Sequence, residues 1–278
     1  MNGEIVRTLT WADGEAALAL WQARFFDSDS FCRWYFSERY TPALSAGVFL
    51  DGELVSMALG RPVTLWEDGA EMAAVMVAGV STRSGYERRG YMRRAMAHVE
   101  HIAGQAKASR LVLRPVDPAI YLPLGFLPYS AASIAFGTGN RPARLCRPAA
   151  VDPSALAACY AAATAGLAGF QARTGEDMAA RLRDAASDGG ACVLLADGAA
   201  VCAYALLESP EGDAVEAVGR TAEAYAALLD ALPSGCSAMQ APNAPLGARI
   251  PHLMAKTVCD APAFDPHGAA GRFVPEEY

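Results

Sequence analysis

The sequence predicts an α/β chain of the α+β kind, made of two tandem units, each a mixed, mostly antiparallel sheet flanked by helices. Three observations carry that expectation. At 278 residues the chain exceeds the usual single-domain size, so two domains of about 100 to 150 residues each are the default. Asp51-Gly52 and Asp197-Gly198 each stand between short apolar runs, the strongest short-range hairpin signal. Apolar residues at steps of three and four follow those runs, and the order of elements in the second half resembles that in the first. Residues 137–148, rich in Gly, Pro and Arg, read as the linker, which gives units 1–140 and 141–278.

Taken in order, residues 5–9 suit a first strand, and residues 14–26 and 31–39 carry helix-spaced apolar positions separated by the polar break 27–30. Strands at 48–50 and 54–59 flank Asp51-Gly52. A second turn at 67–69 leads from Leu65 to a strand at 72–80, so three consecutive antiparallel strands are expected. Met92, Ala95, Met96, Val99, Ile102, Ala103 and Ala106 then mark one apolar helix face. Residues 111–113 suit a further strand. Asp117-Pro118 supplies an N-cap and a first-turn proline for a short helix through Tyr121, which Gly125 ends. In the second half, Asp152-Pro153 opens a helix to about residue 168, and a second helix covers 176–186. A hairpin joins 192–195 to 201–207, a helix spans 221–232, and 236–240 suits a strand.

Composition excludes several classes. Charged residues are 19% and hydrophobic ones 53%, which is globular rather than disordered. The net charge of -7, with no run of Lys or Arg, argues against a nucleic-acid partner and favours cationic ligands such as amines. Seven cysteines without a CxxC pair read as reduced core thiols. The first ten residues lack a secretory pattern, and residues 154–170 are too short and weakly apolar to span a bilayer, so a cytoplasmic protein without membrane contact is expected. His98 and His101 lie one helical turn apart with nothing to complete a ligand set, so they read as surface residues and no metal is expected.

The segment that carries chemistry is a strand at 75–80, a basic glycine-containing loop at 81–90, and the helix after it. A helix N-terminus presents unpaired backbone N–H groups and a partial positive charge, and glycine lets a phosphate approach closely. Arg88 and Arg89 add charge, although solvated loop arginines are the competing reading. Gly85 and Gly90 have P-loop spacing, but Tyr91-Met92 stands where Lys-Ser/Thr is required. Gly137-Thr138-Gly139 begins like a dinucleotide fingerprint, yet Pro142 replaces its third glycine.

Glu87-Arg88-Arg89-Gly90-Tyr91-Met92 resembles the Gln/Arg-x-x-Gly-x-Gly/Ala signature of the GCN5-related N-acetyltransferase (GNAT) superfamily, departing from it at Glu87 and Met92. Those departures are similar to the enhanced intracellular survival (Eis-like) branch, where Arg-Arg-Gly followed by bulky residues is common. Residues 117–126, in which Tyr121 precedes Gly125-Phe126 by four, look like that branch's catalytic tyrosine segment. Phe26-Asp27 and Trp34-Tyr35-Phe36 are also similar.

The resemblance implies tandem GNAT-like domains, with a catalytic unit at 1–140 and a degenerate one at 141–278. It also implies a third, sterol-carrier-like domain for which this chain leaves no room. The implied reaction is acetyl-CoA-dependent N-acetylation, in which a primary amine of a small cationic or peptide substrate attacks the thioester directly. In that reading Ala78 and Gly79 pair the pantetheine arm and the Val80 N–H meets the oxyanion. Backbone N–H groups of Arg88, Arg89, Gly90, Tyr91 and Met92 hold the pyrophosphate, and Tyr121 is the general acid. The family's C-terminal carboxylate points to Tyr278 as a candidate base, with Asp27 a weaker candidate or an anchor for the acceptor's cation; Trp34 and Tyr35 either wall the acceptor pocket or, equally well, pack an amphipathic helix into the core. A non-catalytic acyl-CoA sensor or partner-binding module is the alternative. Self-association is left open between the family's hexamers, smaller assemblies and a monomer.

Overall fold

The computed structural model describes residues 3–142, 144–240, 248–259 and 261–273. The chain opens with β1 (Glu4–Thr8), then α1 (Gly14–Gln22) and α2 (Asp29–Glu38), which stand either side of the polar break. Next, β2 (Ala46–Leu50), β3 (Glu53–Glu67) and β4 (Ala70–Thr82) form the expected meander. Both turns are two-residue Asp-Gly loops. Asp51 and Gly52 lie at φ 50° and 87°, and Asp68 and Gly69 at 52° and 88°. Both central positions thus need the left-handed region that Asp and Gly tolerate, and the twist of such turns matches that of the strands.

The helix α3 (Tyr91–Gln105) buries Tyr91, Ala95, Met96, Val99, Ile102 and Ala103, most of the face predicted from spacing. Then come β5 (Arg110–Leu113), the short α4 (Pro118–Tyr121) and β6 (Leu127–Phe136). The second half comprises β7 (Leu145–Cys146), α5 (Pro153–Thr164), β8 (Gly169–Gln171), α6 (Gly175–Ser187), β9 (Ala191–Asp197) and β10 (Ala200–Leu207). It continues with β11 (Ala214–Gly219), α7 (Ala222–Ala231), β12 (Ser237–Gln240), β13 (Ala248–Thr257) and β14 (Arg272–Phe273). Two expectations shift here. The supposed linker contains β7, which pairs with β9, and α5 stops at Thr164 because left-handed Gly166 turns the chain into β8.

The strands join in one continuous sheet, β1-β2-β3-β4-β5-β13-β6-β12-β11-β10-β9-β7. Each half contains a hairpin, a helix and a parallel crossover: β4 pairs with β5 across α3, and β11 with β12 across α7. The halves are interleaved at the centre. Strand β13 lies antiparallel between β5 and β6, and β6 lies antiparallel between β13 and β12, so each half supplies a strand flanked by the other's. Neither β6 nor β13 stands out in the sequence. Central strands with both faces covered lose the apolar alternation that marks a half-buried strand, and β13 also carries Pro251 beside a register shift.

Along β3 and β4 the side chains divide between two cores. Val55, Ala58, Val75 and Val77 meet α3 on one face, while Leu54, Met57, Leu59 and Ala78 meet the aromatics of α1 and α2 on the other. Cys32, Cys159, Cys192 and Cys236 are buried, as expected of core thiols, whereas Cys259 is exposed. Among the described residues no helix is long and apolar enough to cross a membrane.

Candidate active site

The site begins where β4 and β5 part. They run parallel with Ala74–Val77 beside Arg110–Leu113, after which β4 bulges. Met57 faces Ser81 and Leu59 faces Ala78, so Gly79 and Val80 together oppose Ala58. A bulge bends its strand and leaves backbone groups outside the ladder. Gly79, at φ 57°, also lies so close to Trp21 that an added Cβ would sit 2.4 Å from Cζ3. Meanwhile β5 ends at Leu113, and residues 114–116 turn away toward α4. Between the parting strands lies a cleft of about 750 Å³ lined by Trp21, Arg24, Phe25, Phe26, Asp27, Val77, Ala78, Gly79, Val80, Leu113, Arg114, Pro115, Val116 and Tyr121. Phe26 and Val116, 108% and 95% exposed, give it an apolar rim, the kind of surface that marks a ligand site.

Local sequence fixes Tyr121. The Asp117 carboxylate accepts the Ala119 N–H at 2.8 Å, Pro118 occupies the first turn, and Gly125 at φ 87° ends the segment. The ring packs edge-on against Phe126 with centroids 5.9 Å apart, leaving the residue 9% exposed. Burial pushes its pKa above the ordinary 10, so the hydroxyl keeps its proton at neutral pH. Across the cleft, Trp21 Nε1 donates to Asp27 Oδ2 at 2.7 Å.

Asp27 and Arg114 also line a second cavity, of about 470 Å³, between the halves. Its walls bring in Asp184, Asp188, Glu208 and Asp213, so with Asp27 five carboxylates face the guanidiniums of Arg114 and Arg181. Ser28 and Ser30 hydroxyls donate to Asp188 Oδ1, the latter at 2.9 Å, and tie α2 to this wall.

The loop after β4 leads into an uncapped helix start. Gly90, at φ 80°, starts α3 without a side-chain cap, and no acidic residue occupies the first turn. By contrast Ser28, Asp152, Thr174 and Thr221 cap α2, α5, α6 and α7. The open N–H groups at α3 therefore keep their capacity for an external acceptor. Nothing lies within 4 Å of a Cβ built on Gly85, which leaves room for a phosphate against the backbone. Arg88 is left-handed at φ 61°. Arg89 donates to Gly85 O at 3.0 Å, and Arg94 lies 4.9 Å over Tyr91 and donates to Arg89 O. In the second half the matching connection, from β11 to α7, is only Arg220 and Thr221, and Thr221 caps its own helix.

The structure thus gathers Ala78, Gly79, Val80, Tyr121 and Asp27 around one cleft, with Arg88 to Met92 on the adjoining loop. Tyr91 faces inward, 9% exposed, in the core with Met92 packed beside it. Of the two readings of Trp34 and Tyr35, their burial follows the core one. Trp34 and Tyr35 line neither cavity; they share the inward face of α2 with Phe31, and Tyr35 backs Trp21 at 4.7 Å. Burial pushes the Tyr35 phenol up to about 12. Tyr278 lies outside the described residues. His98 Nε2 is 3.0 Å from Thr8 Oγ1, and among the described residues no cluster of three or more His, Cys, Asp or Glu is arranged for a metal. Sequence reasoning missed Arg24 and Phe25 just before Asp27, Arg114 and Val116 between β5 and α4, and the acids of the second half, which carry no local pattern.

Comparison with known proteins follows the same outline. Residues 5–128 match the family described as acetyltransferase (GNAT) domain. A probable N-acyltransferase from Enterococcus faecalis V583 has a similar structure, with TM-score 0.69 and 15% identity over 93% of this chain and 73% of its own. A GCN5-related N-acetyltransferase from Kribbella flavida gives 0.67 and 15% over 92% and 71%. Eis1 from Mycobacterium abscessus gives 0.63 and 18% over 92% and 73%. At such identities these likenesses establish the fold. No curated protein matches the sequence.

Proposed function

With a GNAT acetyltransferase domain over residues 5–128 as the premise, we propose that this chain is an acetyl-CoA-dependent N-acetyltransferase acting on the primary amine of a cationic acceptor. The observation that carries the reading is the meeting of two unlike cavities at Asp27, one with a mainly apolar lining and holding Tyr121, the other carrying five acidic residues in its wall. An acidic wall concentrates ammonium-bearing ligands by field focusing. On this reading a CoA thioester would lie along the bulged end of β4, with its diphosphate at the open N-terminus of α3.

The chemistry then needs few groups. The amine nitrogen attacks the thioester carbonyl carbon, and the carbon–sulfur bond breaks. The backbone N–H at Val80, beside the bulge, meets the developing oxyanion, an interaction worth about 3 kcal/mol or more where such donors are preorganised. Tyr121 shares its proton with the leaving sulfur as charge develops there, and the proton given up by the amine restores the balance, leaving amide and free thiol. Asp27 anchors the acceptor's positive charge. The second half serves on this reading as a unit of the same plan whose short β11–α7 link leaves no seat for a diphosphate.

The test is release of free CoA thiol from acetyl-CoA with a panel of mono-, di- and polyamines, for the wild type and Tyr121→Phe. We expect turnover with cationic amines and a fall of about 10²-fold or more in kcat for the variant, the range for a positioned general acid, with acetyl-CoA affinity unchanged. Binding of acetyl-CoA without thiol release for any amine would make the protein a sensor. Undiminished turnover in Tyr121→Phe would remove the tyrosine from the mechanism.

A further inference from the structure

Glu87 stands where the GNAT signature has Gln or Arg, and its carboxylate is folded onto the loop that bears it. Oε2 accepts the Gly85 N–H at 2.7 Å, and Oε1 lies 3.2 Å from Arg24 Nη1. That same guanidinium nitrogen donates to Ser84 Oγ at 2.8 Å. Glu87's own backbone N–H, the Gly85 N–H and Arg24 hold the carboxyl below its ordinary range, so it is ionised at neutral pH.

An internal anion therefore already uses donors of the loop, and it does so immediately before Arg88 and Arg89. A diphosphate approaching the uncapped start of α3 meets this negative charge and finds Arg24 occupied. Arg24 is also a lining residue of the cleft, next in sequence to Phe25, Phe26 and Asp27.

We propose that Glu87 is a positioning residue that holds Arg24 on the loop as a resident counter-anion until a diphosphate displaces it. Glu87 thereby sets the strength and salt dependence of donor binding, and Arg24 carries that event to the wall bearing Asp27. The proposal rests on the reading above that the loop receives the diphosphate of a CoA thioester. Displacement is a balanced exchange of anions: the carboxylate leaves the Gly85 N–H and the Arg24 guanidinium for water, and phosphate oxygens take those donors.

Calorimetric titration of the full chain with CoA, and with pantetheine as a ligand that lacks the phosphates, tests it. Glu87→Gln keeps an acceptor for the Gly85 N–H while removing the charge, and Glu87→Ala removes both. We expect both variants to bind CoA about two- to fivefold more tightly at low salt, the scale of an exposed charge interaction. The gain should vanish near 1 M NaCl, where screening acts within about 3 Å. It should shrink in an Arg24→Ala background, where only the repulsion between the carboxylate and the phosphates is left to relieve, and pantetheine affinity should not move. Equal or weaker CoA binding by both variants at low salt overturns the proposal, as does an equal gain for pantetheine. If wild-type protein binds no CoA, the reading of the loop as a cofactor site fails and the role of Glu87 fails with it; CoA binding without the gain sinks the role alone.

Discussion

Gly79→Ala tests whether the bulge in β4 shapes the cleft. At φ 57° any residue with a β-carbon strains, at about 1–2 kcal/mol. The new carbon would also sit 2.4 Å and 2.6 Å from Trp21 Cζ3 and Cε3, and 3.3 Å from a methyl of Leu59. Trp21 has little room to retreat. It is 1% exposed, with its ring 4.7 Å from Tyr35 and 5.1 Å from Phe25, and its Nε1 holds Asp27. Overpacking of that kind costs about 1–3 kcal/mol, so with the backbone strain the loss of stability should be about 2–5 kcal/mol. Urea unfolding followed by tryptophan fluorescence measures it. Because Trp21 positions Asp27, KM for the amine should rise as well. A variant within about 0.5 kcal/mol of wild type, the range of an ordinary surface change, would mean that Gly79 is neither strained nor pressed against Trp21, and the explanation of the parted strands would fall.

Two further outcomes follow from buried groups. Glu216 and Arg173 pair with both side chains fully buried, Nη1 lying 2.8 Å and 2.9 Å from the two carboxylate oxygens, and Tyr204 donates to the same carboxylate at 2.5 Å. Glu216→Gln removes the carboxylate charge from this buried pair and should cost about 3–5 kcal/mol by urea unfolding; a loss under about 1 kcal/mol would show the pair contributes little, and CoA affinity should be untouched. Burial raises the Tyr121 pKa above 10, so the acid form required for proton donation persists throughout the neutral and mildly alkaline range. The rate should therefore climb with pH as the amine, with a pKa near about 10.4, loses its proton; a downturn below about pH 9 that disappears in Tyr121→Phe would contradict the raised value.

What the sequence made legible was local chemistry. Both Asp-Gly turns of the first half could be read because adjacent left-handed residues restrict composition, and α3 because one face of a helix repeats at fixed steps. The short helix ending at Tyr121 could be read for the same reason, since cap, proline and glycine lie within nine residues of one another, whereas the tyrosine's role was suggested only by the family resemblance. The insertion of β13 between β5 and β6 has no such signature, since partners such as Met254 and Leu113 lie far apart in the chain and a strand covered on both faces shows no alternation. The acidic cavity is illegible for a related reason, because Asp184 on α6 and Asp213 before β11 meet Asp27 only through the interleaved sheet. Aromatics misled in a different way: Trp34 and Tyr35 sit at helical spacing from Phe31, which equally suits a core face, whereas Phe26, off any helix, is the one that reaches solvent at the cleft.

The two halves separate fold from function within one chain. Each presents a parallel pair bridged by a helix, β4-α3-β5 and β11-α7-β12, so the sheet alone gives no reason for one to bind an anion and the other not. The difference lies in the link before the helix. Residues 83–90 place left-handed Gly85, Arg88 and Gly90 ahead of an uncapped α3. Arg220 and Thr221 bring β11 straight into a helix whose first N–H groups are met by Thr221, where a Cβ on Gly219 would come within 2.9 Å of the Tyr225 backbone nitrogen. Lengthening that link could not by itself create a second site, because the parting of β4 from β5 also requires the Gly79 bulge and the wall that Trp21 and Asp27 supply. The chemistry proposed for the first half therefore depends on three short features that, among the described residues, coincide there: a bulge, an open helix start and a capped turn carrying Tyr121.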